Sequence, residues 1–206
     1  MNIRAIGFDY GGVIDDQPPG FMAGIAEILG VPLDELKKVY FHHNSLVNVD
    51  GVPYDKFWGI ILEKLKKEKK SAEVLKYIAS EQKTNIDPKM VELVDRLRTL
   101  GYKTGLLSNN SPENWSKIRQ DVLGQHFDVV VISAEVGYQK PSSEIFNLFI
   151  KKLGVSPSEL IFIDDSEQSL RLSQEIGFYP VLFKDYEDLI GRFVSLAILV
   201  DRGVQP

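Results

Sequence analysis

Cysteine is absent from the 206-residue chain. Its absence excludes a disulfide framework, a thiolate metal site and a cysteine nucleophile, so any chemistry must use oxygen and nitrogen groups. Long hydrophobic runs are also missing, because the longest, residues 193–200, is far shorter than the ~20 residues that span a bilayer. Near the start of the chain, Asp9 interrupts the sequence, so no apolar run as long as that of a signal peptide forms there. We therefore expect a soluble cytoplasmic protein that does not bind a membrane.

An excess of positive charge is missing too. The chain has 24 lysines and arginines against 29 aspartates and glutamates, which gives a formal net charge of −5. We expect no nucleic-acid partner, and an anionic ligand would need local positive charge. The length suits one α/β domain with a small insert, and the composition leaves open whether the chain is a monomer or a homodimer.

Five short apolar runs bounded by turn residues predict β-strands. They cover residues 3–8, 102–107, 128–132, 160–163 and 179–183. Between them lie two apolar stripes at helical spacing, namely Met90, Leu93, Val94 and Leu97, and Phe146, Phe149, Ile150 and Leu153. Cap signals at Asp87-Pro88, Ser111-Pro112 and Ser156-x-x-Glu159 precede predicted helices. The alternation of strand and helix predicts a parallel sheet with right-handed crossovers.

The segment between Gly11 and Asp87 has no strand pattern. Helical segments follow one another there, around residues 20–30, 33–43, 53–66 and 72–82. One of them carries an apolar stripe formed by Trp58, Ile61, Leu62 and Leu65. The segment is therefore predicted to be a helical insert with a small core of its own.

Polar side chains follow the predicted strands, at the sheet edge where ligands bind in open parallel sheets. They are Asp9, Ser108, Asn109, Lys140, Asp164 and Asp165. Taken singly, all of them except Asp9 are better explained by a turn, a loop or a helix cap. Three carboxylates at one edge would repel one another, however, unless a cation lies among them, and Mg²⁺ is the hard cation that suits oxygen ligands.

Four segments, in this order, resemble the motifs of the haloacid dehalogenase-like (HAD) superfamily of phosphohydrolases. They are Phe8-Asp9-Tyr10-Gly11-Gly12-Val13-Ile14, Leu107-Ser108-Asn109, Gly137-x-x-Lys140-Pro141-x-x-x-Ile145-Phe146 and Phe162-Ile163-Asp164-Asp165. The resemblance covers the whole chain, because members commonly carry a helical cap inserted after the first motif. It implies a Rossmann-like parallel β-sheet core flanked by helices, formed by residues 1–14 and 86–206, with an all-helical cap at residues 15–85.

The resemblance also implies residue roles. Asp9 would attack phosphorus and form an aspartyl-phosphate that water then hydrolyses. The Asp9 carboxylate, the Gly11 backbone carbonyl and Asp165 would hold Mg²⁺, with Asp164 nearby as an outer ligand or as a partner of Lys140. The implied reaction is the Mg²⁺-dependent hydrolysis of a small phosphorylated metabolite.

The phosphate itself would be bound by residues of the second and third motifs. Ser108 and the backbone amide of Asn109 would donate hydrogen bonds to the transferring oxygens. Lys140 would neutralise charge that builds up in the transition state.

Gly11 departs from the superfamily pattern. Most of its phosphatases read Asp-x-Asp in the first motif, where the second aspartate is the general acid/base, and losing such a group typically lowers the rate about 10²–10⁴-fold. One hypothesis is a substrate whose leaving group needs little protonation, such as an anomeric sugar, acyl or aryl phosphate. A glucose-1-phosphatase-like branch of the superfamily resembles this chain in having Asp-x-Gly.

Two further hypotheses follow from Gly11. A metal-independent 2-haloacid dehalogenase also lacks the second acid, but those enzymes lack the paired acids that this chain has as Asp164-Asp165. A catalytically weak phospho-ligand binding or interaction module is the other alternative, against which stand the retained Asp9 and Lys140.

Other polar residues receive structural interpretations. His42 and His43 lie on a predicted cap helix, where neighbouring side chains point ~100° apart and cannot both face one site. Asp15 and Asp16 follow the first motif, where they could line the hinge or supply the missing acid, but they are interpreted as exposed turn residues before Pro18-Pro19. His126 precedes a strand and is expected to pack or to cap.

Overall fold

A five-stranded parallel sheet forms the centre of the protein, in the strand order β3-β2-β1-β4-β5. The computed structural model describes residues 2–15, 20–81, 85–112, 115–116 and 123–198. The strands are β1 (Ala5–Phe8), β2 (Lys103–Ser108), β3 (Val129–Ile132), β4 (Leu160–Asp164) and β5 (Tyr179–Leu182). All five predicted strands are confirmed to within two residues at each end, and so is the α/β class.

Helices lie between the strands and after the last one. In chain order the described ones are α1 (Phe21–Leu29), α2 (Leu33–His43), α3 (Ser45–Asn48), α4 (Tyr54–Lys64), α5 (Ser71–Glu81), α6 (Pro88–Thr99), α7 (Leu123–His126), α8 (Ser133–Val136), α9 (Ser143–Leu153), α10 (Glu167–Leu170), α11 (Ser173–Ile176) and α12 (Tyr186–Ser195). Two 3₁₀ turns, Glu68–Lys70 and Pro157–Glu159, complete the described helical structure. Among the described residues, no helix combines the length and the apolar character needed to cross a membrane.

Each face of the sheet has its own hydrophobic layer. On one face, Ile6 and Phe8 of β1 share a cluster with buried residues of α6 and α12. On the other face, Ala5 lies in a cluster built largely from α9. All eight residues of the two apolar stripes predicted from the sequence are buried in these layers. Helices therefore cover β1 on both faces. Because β1 is also the central strand, Asp9, the residue after it, lies at the middle of the sheet edge.

The insert between β1 and α6 is helical, as predicted, and it has a separate hydrophobic cluster. Trp58, Ile61 and Leu62 of α4 are fully buried there, together with residues of α1, α2 and α5. Helix α3 was not predicted, because four residues are too few to show a helical period. The division into a core of residues 1–14 and 86–206 and a cap of residues 15–85 stays a prediction, which this separate cluster supports.

The chain passes between core and insert at Asp15, whose interpretation as an exposed turn residue is wrong. Asp15 is only 7% exposed, and its Oδ1 accepts a hydrogen bond of 2.7 Å from the backbone N–H of Asn85. It also forms isolated β-bridges with Gly11 and Ile86. The outgoing and returning segments are thus held side by side. Asp16 lies outside the described residues.

The three predicted helix caps have different outcomes. Asp87 accepts a hydrogen bond of 2.8 Å from the N–H of Lys89 and caps α6, as predicted. The capping box is present at Ser156, but the helix predicted after it is a single 3₁₀ turn, because β4 begins directly at Leu160. The helix predicted after Ser111-Pro112 lies largely outside the described residues.

Candidate active site

The register of the sheet places the ends of three strands together. Phe8, the last residue of β1, pairs with Leu106 of β2 and with Ile163 of β4. Asp9 therefore follows this level by one residue, and it continues the ladder by donating its N–H to the carbonyl of Ile163 at 2.8 Å. Because β1 lies between β2 and β4, Asp9 lies level with Leu107, the residue before Ser108, on one side and with Asp164 on the other.

A buried lysine joins two of the predicted carboxylates. Lys140 Nζ lies 2.8 Å from Asp9 Oδ1 and 2.6 Å from Asp164 Oδ2. The side chains of Lys140 and Asp164 are 1% and 0% exposed, so water does not screen this contact. The structure thus brings Asp9, Lys140 and Asp164 into direct contact, as their positions after the strands predicted.

Asn109 holds the lysine loop in place. Its Oδ1 accepts a hydrogen bond of 2.7 Å from the backbone N–H of Lys140, and its Nδ2 donates one of 2.8 Å to the backbone carbonyl of the same residue. The sequence did not predict this use of the Asn109 side chain, because residues 31 positions apart along the chain show no local pattern. The predicted role of Asn109 in phosphate binding depends on its backbone amide, which this clamp does not use.

Both carboxylates accept further hydrogen bonds that fix their orientation. The backbone N–H of Tyr10 donates to Asp9 Oδ1 at 2.6 Å. The N–H of Ser166 donates to Asp164 Oδ1 at 2.9 Å, while Asp164 Oδ2 faces the lysine. Hydrogen bonds to ionised carboxylates are the strong ones, so the two groups are held in place before any ligand binds.

The third carboxylate completes an acidic cluster. One oxygen from each of Asp9, Asp164 and Asp165 lies within 4.8 Å of the others, and Asp165 is the exposed member. The pKa of Asp9 is raised to about 7, chiefly by burial. The charge of Lys140 lowers this pKa, and the charges of Asp164 and Asp165 raise it. For Lys140, burial alone would lower the pKa, but Asp9 and Asp164 outweigh it and raise the pKa above its ordinary value.

The donor set fits a divalent hard cation. Three carboxylate oxygens at this separation supply the ligands that Mg²⁺ prefers, and a cation would relieve the repulsion that raises the pKa of Asp9. Among the described residues, this is the one group of three or more acidic or histidine side chains that could hold a metal ion. Gly11 and Gly12 follow Asp9 in the chain after Tyr10, and Gly12 lies against the Asp165 carboxylate.

Gly12 makes room for the Asp165 carboxylate. A Cβ atom at position 12 would lie 2.5 Å from Asp165 Oδ2 and 2.8 Å from its carboxyl carbon, which is closer than such contacts allow. The backbone φ of Gly12 is +73°, in the region that favours glycine. Gly11 is not among the glycines with positive φ. The two glycines therefore differ, since only Gly12 is required by the local backbone.

Substitution of Gly12 by alanine is expected to displace the Asp165 carboxylate and to weaken Mg²⁺ binding by roughly 10–100-fold, the usual effect of disturbing the support of a metal ligand. Isothermal titration with Mg²⁺ measures it. Gly101→Ala is the matched control, because Gly101 also has a positive φ, of 87°, but a Cβ there meets nothing within 4 Å. Equal Mg²⁺ affinities in the two variants would contradict this use of Gly12.

The insert contacts the core beside the lysine loop. Ser133 Oγ donates to the carbonyl of Asn48 at 2.8 Å and also accepts from the N–H of Asn110 at 2.9 Å. Gln139, next to Lys140, contacts the side-chain amides of Asn48 at 3.4 Å and of Asn44 at 3.3 Å. Helix α3 and the residue before it thus cover the side of the site where the lysine loop lies.

The histidines receive the structural places that the sequence indicated. His126 Nδ1 lies 2.8 Å from Asp95 Oδ1 and ties α7 to α6. His43 Nδ1 contacts the carbonyl of Val39 on its own helix at 2.9 Å, and His42 is exposed. None of these contacts involves the acidic cluster.

The fold is a parallel α/β sheet, and Lys140 bridges an acidic cluster at the carboxyl ends of β1 and β4. This combination is typical of hydrolases whose active site lies at that edge of the sheet. The chain belongs to the haloacid dehalogenase-like hydrolases, whose family model matches residues 3–170. This confirms the resemblance seen in the motifs.

Two known proteins illustrate what this chain is similar to in sequence. It is 28% identical over 223 residues to acyl-CoA dehydrogenase family member 10 of Mus musculus, which covers 98% of this chain but 20% of that protein. It is 31% identical over 100 residues to D-ribitol-5-phosphate phosphatase of Bacteroides thetaiotaomicron, which covers 45% of this chain and 48% of that enzyme. The chain thus spans at most about half the length of these two curated relatives.

Solved structures share the fold. The crystal structure of a HAD family enzyme of Bacteroides thetaiotaomicron in complex with magnesium and inorganic phosphate matches with a TM-score of 0.63 at 22% identity. The match covers 91% of this chain and 98% of that one, so the insert and the core both have counterparts there.

Proposed function

We propose that this chain is a Mg²⁺-dependent phosphatase that hydrolyses a small phosphorylated metabolite through an aspartyl-phosphate on Asp9. The observation that carries the proposal is the arrangement of Asp9, which shares Lys140 with Asp164 and has a carboxylate oxygen within 4.8 Å of one of Asp165. Phosphatases among the relatives and a magnesium and phosphate complex among the structural neighbours support it.

The cation would be held by residues that line the acidic cluster. Asp9, Asp165 and the backbone carbonyl of Gly11 are the proposed ligands, with Asp164 as an outer partner that is bonded to Lys140. When bound, Mg²⁺ supplies positive charge that offsets the carboxylates and the phosphate of the substrate. The donors on Asp9 Oδ1, the Tyr10 N–H and Lys140 Nζ, orient the carboxylate for attack.

The proposed reaction has two steps. A carboxylate oxygen of Asp9 forms a bond to phosphorus while the bond from phosphorus to the ester oxygen breaks, and Lys140 stabilises the negative charge on the transferring group. Ser108, which is buried at the end of β2, and the backbone amide of Asn109 donate hydrogen bonds to its oxygens. Water then attacks phosphorus, the bond to Asp9 breaks, and inorganic phosphate and a proton are released.

Gly11 limits the leaving groups that this site handles well. Position 11 has no carboxylic acid that could protonate the departing oxygen. The leaving group must therefore depart as a weakly basic anion or take a proton from water. We infer that the preferred esters are anomeric sugar, acyl or aryl phosphates. A binding or interaction module with weak catalysis is the alternative that Gly11 favours. The paired Asp164 and Asp165 speak against a metal-independent dehalogenase.

The test of the proposed function is turnover of p-nitrophenyl phosphate and of sugar 1- and 6-phosphates, with Mg²⁺ and with EDTA. Release of phosphate that requires Mg²⁺ supports the proposal. Turnover of 2-chloropropionate that survives EDTA would support the dehalogenase instead, and binding of phosphate esters without turnover would support the module.

Substitution of Gly11 by aspartate is expected to raise kcat/KM for simple alkyl phosphates by roughly 10²-fold, while p-nitrophenyl phosphate changes little. The reason is that only the alkyl leaving group needs a proton. The wild-type protein should show a shallow dependence of rate on the leaving-group pKa across a series of phosphate esters.

Gly11→Asn is the matched control for this variant, because asparagine has the shape of aspartate without a carboxylic proton. The backbone at Gly11 does not have a positive φ, so both side chains are compatible with its conformation. A steep dependence in the wild type, or an equal gain in both variants, would contradict the assigned effect of Gly11.

A further inference from the structure

A groove beside the lysine loop is unused by the chemistry described so far. It has a volume of about 370 Å³ and is lined by Val49 from the insert, by residues 137–142 and by Arg171. Ligand pockets of small molecules begin at about 300 Å³, so the groove is large enough for part of a metabolite. It reaches Lys140, the residue whose amine contacts Asp9.

Arg171 gives the groove its charge. It lies directly after α10, the short helix that begins two residues beyond Asp165, so it is attached to the same loop as the acidic cluster. It is exposed, and no carboxylate lines the groove. Because Lys140 is already paired with Asp9 and Asp164, Arg171 is the unpaired positive charge among the residues that line this groove.

Three other arginines of the described residues are engaged, while Arg96 on α6 forms no ion pair there. Arg4, Arg98 and Arg192 each lie within 4 Å of a carboxylate, on Glu159, Asp128 and Asp188 respectively. Arg171 has no such partner in the part of the chain that the structure describes. Its five N–H donors are thus available to a ligand, and their planar arrangement matches a carboxylate or phosphate group.

The remaining lining suits the neutral part of such a ligand. Tyr138 is 48% exposed and presents an apolar ring at the groove. Val49 supplies an apolar contact from the opposite, insert side. The groove therefore combines a charged end with an apolar wall, which is the composition of a specificity site rather than of a phosphate-transfer site.

We propose that Arg171 and the groove beside Lys140 form a subsite for a leaving group that carries its own negative charge, a carboxylate or a second phosphate. The proposal rests on the proposed phosphatase function, and it names the class of substrate for that site. Arg171 is a specificity residue that binds the far end of the substrate, while Asp9 and Lys140 act on the transferring phosphate.

Three aryl phosphates that differ at one end test the proposal, since aryl esters belong to the class that Gly11 favours. Phenyl phosphate is neutral at the far end, 4-(carboxymethyl)phenyl phosphate carries a carboxylate there, and 1,4-phenylene bisphosphate carries a second phosphate. The wild type is expected to have a kcat/KM about 5- to 10-fold higher for one or both charged compounds, as suits a solvent-accessible charge-assisted hydrogen bond. Arg171→Gln should remove this preference mainly by raising KM. The charged compound whose kcat/KM falls more shows whether the subsite prefers a carboxylate or a phosphate.

Arg96→Gln is the matched control, since Arg96 is exposed on α6, forms no ion pair among the described residues and does not line the groove. It should keep the wild-type ratio between charged and neutral substrates. A ratio near one in the wild type, or an unchanged ratio in Arg171→Gln, overturns the proposal.

Binding separates a failure of this subsite from a failure of the phosphatase function. Calorimetric titration of the same three compounds, with Mg²⁺, compares Asp9→Asn with the double variant Asp9→Asn/Arg171→Gln. A preference for the charged compounds that the double variant loses supports the subsite even if no ester is hydrolysed. Equal affinities in both proteins overturn it, whatever the turnover assays show.

Discussion

Asp9→Asn is expected to lower the Mg²⁺-dependent turnover of p-nitrophenyl phosphate by roughly 10³-fold or more, because the amide oxygen is uncharged and a poor nucleophile. The side chain keeps its shape, and its oxygen still accepts the hydrogen bond from the N–H of Tyr10. Lys140 keeps Asp164 as a partner, so the variant should fold. Steady-state assays and circular dichroism measure both effects.

A trapped intermediate makes the same test independent of turnover. Rapid quenching with labelled substrate should yield a phosphoprotein in the wild type that hydroxylamine cleaves, as an acyl phosphate requires, and none in Asp9→Asn. Asp55→Asn is the control, because Asp55 is exposed in the first turn of α4. Equal rates in the wild type and Asp9→Asn would favour the binding module over the phosphatase.

The strands and the edge that carries the site were predictable because their signals are local. A run such as Leu160 to Ile163 is apolar on both faces, as a strand covered by helices on both sides must be. Parallel strands end at one edge, so acidic residues directly after two runs had to meet there. The meeting of Asp9 with Asp164 needed only this reasoning.

Contacts between distant segments were not predictable. Asp15 resembles a turn residue in its own neighbourhood, but it is buried because it accepts a hydrogen bond from Asn85, 70 positions away. The Asn109 clamp on Lys140 is likewise invisible to spacing, although it positions the lysine. Gly12 is a further example, since its need for space comes from Asp165, which follows β4 and is distant in the chain.

Signals that are local but ambiguous explain the remaining differences. The sequence from Ser156 to Glu159 is a true capping box, and both of its hydrogen bonds form. Such a box stabilises the first turn of any helix, and it does not determine how long the helix continues. Here the apolar run beginning at Leu160 pairs with β1, so the turn ends at once.

Lys140→Met is expected to lower the free energy of unfolding of the metal-free protein by about 3–5 kcal/mol, the usual effect of removing one partner of a buried ion pair. Asp164 is completely buried and Asp9 is partly buried, and the variant leaves both without their shared cation. For a chain of this size the melting temperature should fall by roughly 6–20 °C. Turnover should fall by roughly 10²-fold or more, because charge on the transferring group loses its partner.

The loss of stability should depend on pH in a definite direction. Because the pKa of Lys140 is raised in the folded state, its stabilisation is complete below its ordinary pKa and is lost only as the pH rises through the raised value. The pKa of Asp9 is also raised, to about 7, so acid removes the negative charge that the variant leaves unpaired. The difference in melting temperature between wild type and Lys140→Met should therefore be largest near pH 8 and should narrow toward pH 5.

Lys151→Met controls for the loss of a lysine as such, because Lys151 is exposed in the last turn of α9 and should change neither stability nor its pH dependence. Mg²⁺ should restore part of the stability of Lys140→Met, since a bound cation supplies charge to the same carboxylates. A variant as stable as the wild type at pH 8 without metal would mean that Lys140 does not neutralise Asp9 and Asp164. It would also remove the electrostatic argument that Lys140 stabilises the negative charge of the transition state.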